Sequence, residues 1–172
     1  GAFVTDGETI HSRKPTASLA DLKGQAIRAN NAMIAESLRK FGAIASVLPI
    51  NRTMDALSAG KLDAVTVATA VLMEFGFGRL TNHHYLLPTG GAPISLVMNR
   101  EKFASLPPAA QAIIRKYSGE WLSERSAACY DEKIRETVAQ LKADPRRTVV
   151  TPSPADLATA QKVFSSVVDA WE

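Results

Sequence analysis

The chain has 172 residues, 46% hydrophobic and 22% charged, with 10 Gly and 9 Pro; this composition fits one ordinary globular domain and excludes collagenous and disordered classes. The 20 Lys and Arg against 17 Asp and Glu leave a formal charge of only +3, and the basic residues are spread along the chain, so no electrostatic footprint for nucleic acid is present. A single cysteine, Cys129, excludes an intrachain disulfide framework and any multi-cysteine metal site.

The start, Gly1-Ala2-Phe3, has neither a methionine nor the basic and apolar regions of a signal peptide, which predicts a processed or truncated chain whose address label is gone. No run reaches the roughly 18 to 20 apolar residues that span a bilayer; Arg79, His83, Pro88 and Pro93 break the nearest ones. Glu8 to Ser12 and Gln25 to Ala29 read as short strands, separated by a helical turn that Ser18 caps. Asn31 is the predicted N-cap of a helix through Lys40, with Met33, Ile34, Leu38 and Phe41 as its apolar face and Gly42 as its stop. Ile44 to Leu48 reads as a buried strand, Asn51 or Arg52 opens a helix through Met54 and Leu57 to Gly60, and Asp63 to Val67 is a further strand. Alternating strands and helices with short links predict an α/β fold with parallel strands, whose ligands sit beyond the carboxyl ends of those strands. The loops after residues 28, 48 and 66 are therefore the ones to watch.

Leu80 to Leu87 and Ile94 to Asn99 flank a Pro88–Pro93 break, and are either paired strands or connections crossing between two lobes. From Pro107 to Asp144 the apolar residues recur mostly at three, four or seven, which predicts one very long helix of about 50 Å that bridges lobes or makes an interface. Thr148 to Thr151 suits a last strand, and Ser153 caps a terminal helix carrying Leu157, Phe164 and Val167.

Few residues assemble into recognisable chemistry. His83 and His84 are adjacent and His11 is remote, so none has the helical spacing of a zinc pair, and hydrogen-bonding histidines at a strand surface or hinge are expected. Cys129 is expected to be a half-buried thiol of the long helix, and Tyr117 and Trp121, one turn apart, a packing seam. No phosphate-binding glycine motif, nucleophile elbow or cofactor signature is present. Arg28 stands apart: it ends an apolar strand where the chain enters a loop, so its guanidinium is placed over the carboxyl edge of the sheet. Its planar fork of donors matches a carboxylate, although an ordinary surface ion pair is the competing reading.

Four blocks occur in order: Asp21-Leu-Lys-Gly24-Gln-Ala-Ile27-Arg28 followed by Asn30; Ala56-Leu-Ser-Ala-Gly60-Lys-Leu-Asp63; Thr81-Asn82-His83; and Asn99-Arg-Glu-Lys-Phe103-Ala-Ser-Leu106-Pro107. Together they resemble the extracytoplasmic solute-binding proteins of TRAP transporters, the dicarboxylate-binding type. The resemblance runs from about Gly7 to the C-terminus and implies the second half of a two-lobed, type II periplasmic-binding-protein fold, with the N-terminal lobe largely missing. It implies residues 1–87 as a second-lobe α/β unit with crossing strands, 88–106 as a crossover segment, 107–144 as the long bridging helix, and 145–172 as a terminal strand and helix. The family's carboxylate-clamping arginine falls on Arg28. Its aromatic over the ligand falls on Ile50, just before Asn51; its ligand asparagine falls on Val67, after Thr66; and a second arginine of some members falls on Thr9. Losing those polar groups favours a monocarboxylate with an apolar part over a sugar acid or C4-dicarboxylate. The implied function is non-catalytic, periplasmic capture of a small organic acid, delivered to the TRAP membrane subunits without a cofactor. The alternative is a helical interaction module in which the fragment forms a homodimer through its long helix.

Overall fold

The computed structural model describes residues 1–5 and 7–170. In chain order the elements are β1 (Ala2–Val4), β2 (Thr9–Ser12), β3 (Ala26–Ala29), α1 (Ala32–Lys40), β4 (Ile44–Val47), α2 (Ile50–Ser58) and β5 (Ala64–Val67). Then follow β6 (His83–Tyr85), β7 (Pro93–Ser95), α3 (Arg100–Ala104), α4 (Pro108–Lys116), α5 (Glu120–Ala143), β8 (Thr148–Val150) and α6 (Pro154–Asp169). The first half follows its local signals. The Asn31 side chain accepts the Ile34 N–H at 2.9 Å and so starts α1, and Asp63 Oδ2 accepts the Ala26 N–H at 2.9 Å, tying the starts of β3 and β5 together.

Six strands form one sheet in the order β4-β3-β5-β2-β6-β8. The expected parallel pairings are present, β3 with both β4 and β5, as right-handed crossovers through α1 and α2 require. β2 departs from that pattern and runs antiparallel to β5 and β6. The cause is its origin: β2 enters the sheet at the edge where β3 and β5 end, pairing Thr9 with Val67. β4 is also not the buried strand expected, since Ile44 is 67% and Val47 52% exposed. It is an edge strand, and Arg39 of α1 covers its Ala45 carbonyl with two donors at 3.1 and 2.8 Å.

One face of the sheet (Ile10, Ile27, Ala64, Tyr85) packs with α1 and α6, and the other (Val65, Val67) packs with α2 and with Leu141 of α5. Tyr85 spans the first layer, donating its Oη–H to Asp156 Oδ2 at 2.6 Å in the first turn of α6. A Tyr85→Phe change removes that charge-assisted bond from a fully buried ring and is expected to cost about 2 kcal/mol of stability, read as a lowered urea midpoint at unchanged slope.

The two stretches around Pro88–Pro93 are not paired with each other. Tyr85 and its neighbours join the large sheet, whereas β7 pairs antiparallel with β1 in a separate two-stranded sheet. Thr5 and Glu8, between β1 and β2, therefore lie beside Thr89 and Ala92, between β6 and β7. Thr5 N–H donates to Ala92 O at 3.0 Å, and Thr89 N–H to Glu8 O at 2.8 Å. Gly7 is required there because a Cβ would lie 2.4 Å from the Pro88 side chain.

The expected single helix over 107–144 is two helices. Gly119 adopts φ +62°, a left-handed conformation, and ends the α4 direction before α5 begins. A short α3, capped by Asn99 accepting the Lys102 N–H at 2.9 Å, precedes them. α5 alone, at 24 residues or about 36 Å, still bridges the two sheets. Its N-terminal half meets β1, with Tyr130 against Phe3 at 5.2 Å, and its C-terminal half meets β8 and the turn at Thr69–Val71. Cys129 is exposed rather than half-buried. Tyr117 and Trp121 pack edge to face at 5.0 Å, yet both remain almost half exposed, so their seam is not core. The last two residues of the 145–172 span lie outside the described residues.

Candidate functional site

β3, β4 and β5 all end at the same edge, and Arg28 projects there, 3% exposed, instead of forming a surface ion pair. Three of its five N–H groups are committed: Nε–H to Leu48 O at 2.8 Å, one Nη1–H to Thr66 O at 2.9 Å and one Nη2–H to Asn30 Oδ1 at 3.2 Å. One N–H on each terminal nitrogen is left uncommitted among the described residues. Two such donors on one planar guanidinium can together reach both oxygens of a carboxylate.

Sequence reasoning placed Thr66 in the site and missed Glu8. Glu8, 5% exposed, sits on the crossing segment just ahead of β2. Its Oε1 accepts Asn30 Nδ2–H at 2.9 Å, and its Oε2 accepts the Thr66 hydroxyl at 3.2 Å. Arg28, Asn30, Glu8 and Thr66 thus close a ring drawn from β2, β3 and β5 and the segments next to them. Burial pushes the Glu8 carboxyl up from its ordinary value, while Thr66, Arg28 and Asn30 hold it down. Burial likewise pulls the Arg28 guanidinium down, opposed by the charge of Glu8.

Arg28 lines a cavity of about 260 Å³ together with Thr5, Glu8 and Asn30. The rest of its wall is apolar or aromatic, including Ile50, Val67, Val71, Phe75 and Ile94, with Tyr130 of α5 contributing one side. Of the residues singled out in the sequence, Arg28, Ile50 and Val67 line this cavity. Thr66 lies behind it, holding Arg28 through its carbonyl and Glu8 through its hydroxyl. Thr9 is buried and directed elsewhere, 2.8 Å from Thr69 Oγ1 and 3.0 Å from His11 Nε2. Asn51 is exposed in the first turn of α2. Larger hollows exist, one of about 750 Å³ near Leu96 to Met98, but the Arg28 cavity is where buried polar groups converge on an apolar wall.

Two of the three histidines, His11 and His84, form a second buried cluster, not a surface feature, while His83 stays half-buried. His11 and His84 are fully buried on adjacent strands, Nδ1 to Nδ1 at 2.9 Å. Arg147 can only donate, and its Nη1 lies 3.4 Å from His84 Nε2. The polarity then runs one way: His84 Nδ1–H donates to His11, and His11 Nε2–H donates to the Thr9 hydroxyl. No group of His, Cys, Asp and Glu among the described residues could hold a metal ion. None of the described helices is long and apolar enough to cross a membrane.

A family model described as bacterial extracellular solute-binding protein, family 7 (DctP), matches residues 2–172. Solved structures share the fold across 99% of this chain. A TRAP solute-binding protein from Rhodoferax ferrireducens, in complex with copurified benzoate, superposes with a TM-score of 0.87 at 24% identity. A marine metagenome protein specific for aromatic acid ligands, with 3-hydroxybenzoate, gives 0.88 at 23%. One from Bordetella bronchiseptica with bound (R)- and (S)-mandelate gives 0.84 at 22%. The chain spans 55% of the length of each of these three.

Proposed function

The chain belongs to bacterial extracellular solute-binding protein family 7, and from that premise we propose that it forms the carboxylate-holding half of a two-lobed periplasmic protein delivering an organic acid to TRAP membrane subunits. The observation that carries the reading is the buried Arg28 fork, open on one N–H of each terminal nitrogen, at the mouth of an apolar cavity. A carboxylate takes the fork, and an apolar or aromatic body lies against Ile50, Val67, Phe75 and Tyr130. With Val67 and Ile50 supplying no polar partner, a monocarboxylate such as a benzoate or mandelate fits, and a sugar acid leaves its hydroxyls unpaired. The chemistry is binding without bond breaking.

In this reading residues 1–87 are the second-lobe unit with crossing strands, 88–106 cross back, 107–144 bridge the lobes through α5, and 145–172 return to the second lobe. The side-by-side run of Thr5 and Glu8 with Thr89, Gly90 and Ala92 is then where the lobes are joined, and closure over the solute supplies the differential contacts that shift the open and closed populations. The test is a thermal-shift screen of the full-length protein with benzoate, 3-hydroxybenzoate, mandelate, succinate and galacturonate. The aromatic monocarboxylates are expected to raise the melting midpoint, because a ligand selective for the native state stabilises it by mass action. Shifts with succinate or galacturonate alone would overturn the ligand class.

A second reading has one observation in its favour. Leu96 and Val97 are 70% and 85% exposed, and Ile113, Tyr117 and Trp121 also open to solvent around α4 and β7. A chain lacking its first lobe self-associates through that face in this reading. Sedimentation of the 172-residue chain is then expected to show a concentration-dependent dimer, and monomer at every concentration would remove it.

A further inference from the structure

We propose that Glu8 makes the Arg28 site selective for acids carrying one negative charge over those carrying two. The proposal rests on the carboxylate reading of this cavity and adds the residue that sets its charge preference. Among the described lining residues Arg28 is the one cation and Glu8 the one anion, and the others are uncharged side chains. The two charges among these lining residues offset each other, the first carboxylate of a ligand adds a negative charge to them, and a second carboxylate meets Glu8 against an apolar, poorly screened wall.

The hydrogen-bond ring and the Arg28 charge favour the ionised form of Glu8. Both of its oxygens accept, from the Asn30 amide and the Thr66 hydroxyl, and Asn30 must present its NH2 to Glu8 because its oxygen is taken by an Arg28 N–H. Oε1 faces only the Asn30 donor, and at Oε2 the Thr66 hydroxyl donates to a carboxylate whose charge the neighbouring Arg28 offsets. Nor can the residue withdraw. Its N–H donates to Gly90 O at 2.6 Å, and its carbonyl accepts both the N–H and the hydroxyl of Thr89 at 2.8 Å, which fixes its backbone to the paired crossing segments.

The discriminating ligands are isophthalate and its monoamide, 3-carbamoylbenzoate, which share a shape and differ by one charge. Two like charges about 6 Å apart at an effective dielectric of 20 discriminate by roughly 30- to 100-fold. Calorimetric titration of the full-length protein is expected to show the monoamide binding tighter by about that factor, and Glu8→Gln to bring the ratio below about threefold by improving isophthalate. A wild type that binds both equally overturns the role of Glu8, and this comparison holds even if the variant does not fold. A Glu8→Gln protein that folds, binds the monoamide and keeps the wild-type ratio overturns it as well. If wild type binds neither compound nor benzoate, the carboxylate reading itself falls and the role of Glu8 falls with it.

Discussion

Replacing Arg28 by alanine in the full-length protein is expected to weaken acid binding by about 2 to 5 kcal/mol, which moves a micromolar Kd to between about 30 μM and several mM. The size follows from burial: at 3% exposure the fork meets its ligand without competing water, so a charge-assisted contact retains its full value. Alanine also removes three bonds that satisfy Leu48, Thr66 and Asn30 and strands the Glu8 carboxylate, so a fall in stability accompanies the change. Arg28→Lys separates the two effects. Lysine keeps the charge opposite Glu8 and loses the two-pronged geometry, so it is expected to fold better than the alanine variant while recovering little of the affinity. Titrations run beside melting curves for the three proteins check both halves, and a well-folded Arg28→Lys with wild-type affinity would contradict the bidentate role.

The second large effect is on stability in mild acid. His11 and His84 are both neutral in the fold: burial and then the neighbouring His84 pull His11 down to about 3, while burial and then Arg147 pull His84 down to about 4, from an ordinary value of 6.5. A further proton on His11 would put two N–H donors head to head at the Nδ1–Nδ1 contact, and one on His84 would set its Nε2–H against the Arg147 Nη1 donor. The unfolded chain takes up both protons near 6.5, and the native state does not until near 4 and 3. Stability is thus fully present above pH 6.5 and falls as the pH drops below it, by about 4 kcal/mol for the pair at pH 5. Carboxylates held low, such as Asp21 and Asp63, act only nearer their unfolded value of 3.8, and Glu8, pushed up, acts in the opposite direction. Urea unfolding at pH 7.5 and 5.0 measures the difference. Equal free energies at the two values would mean that the histidine pair accepts protons in the folded state.

How much of this was readable from residue order depends on the range of the interaction. The run from β3 through α1, β4 and α2 to β5 was legible because each boundary carries its own chemistry, the Asn31 cap and the stops at Gly42 and Gly60. Arg28 was legible as the residue at a strand's carboxyl end. The orientation of β2 and the β1–β7 ribbon were not, because strand pairing between distant segments leaves no local periodicity. His11 and His84 are 73 positions apart, and Glu8 and Thr66 are 58; only the sheet order brings them together. A buried acid directly ahead of a strand, Glu8, was the one signal available, and solvent exposure is the ordinary expectation for Glu. Ser118-Gly119 did mark the helix break, but the recurring apolar residues on either side suggested continuity across a position that adopts positive φ.

The central claim is that the Arg28 cavity holds a carboxylate. A crystal structure of the full-length protein grown with 3-hydroxybenzoate tests it most directly. The carboxylate is expected within hydrogen-bond distance of Nη1 and Nη2 of Arg28, with the ring between Phe75 and Tyr130 and the bonds to Leu48, Thr66 and Asn30 intact. A ligand bound elsewhere, with the Arg28 fork still vacant, would contradict it.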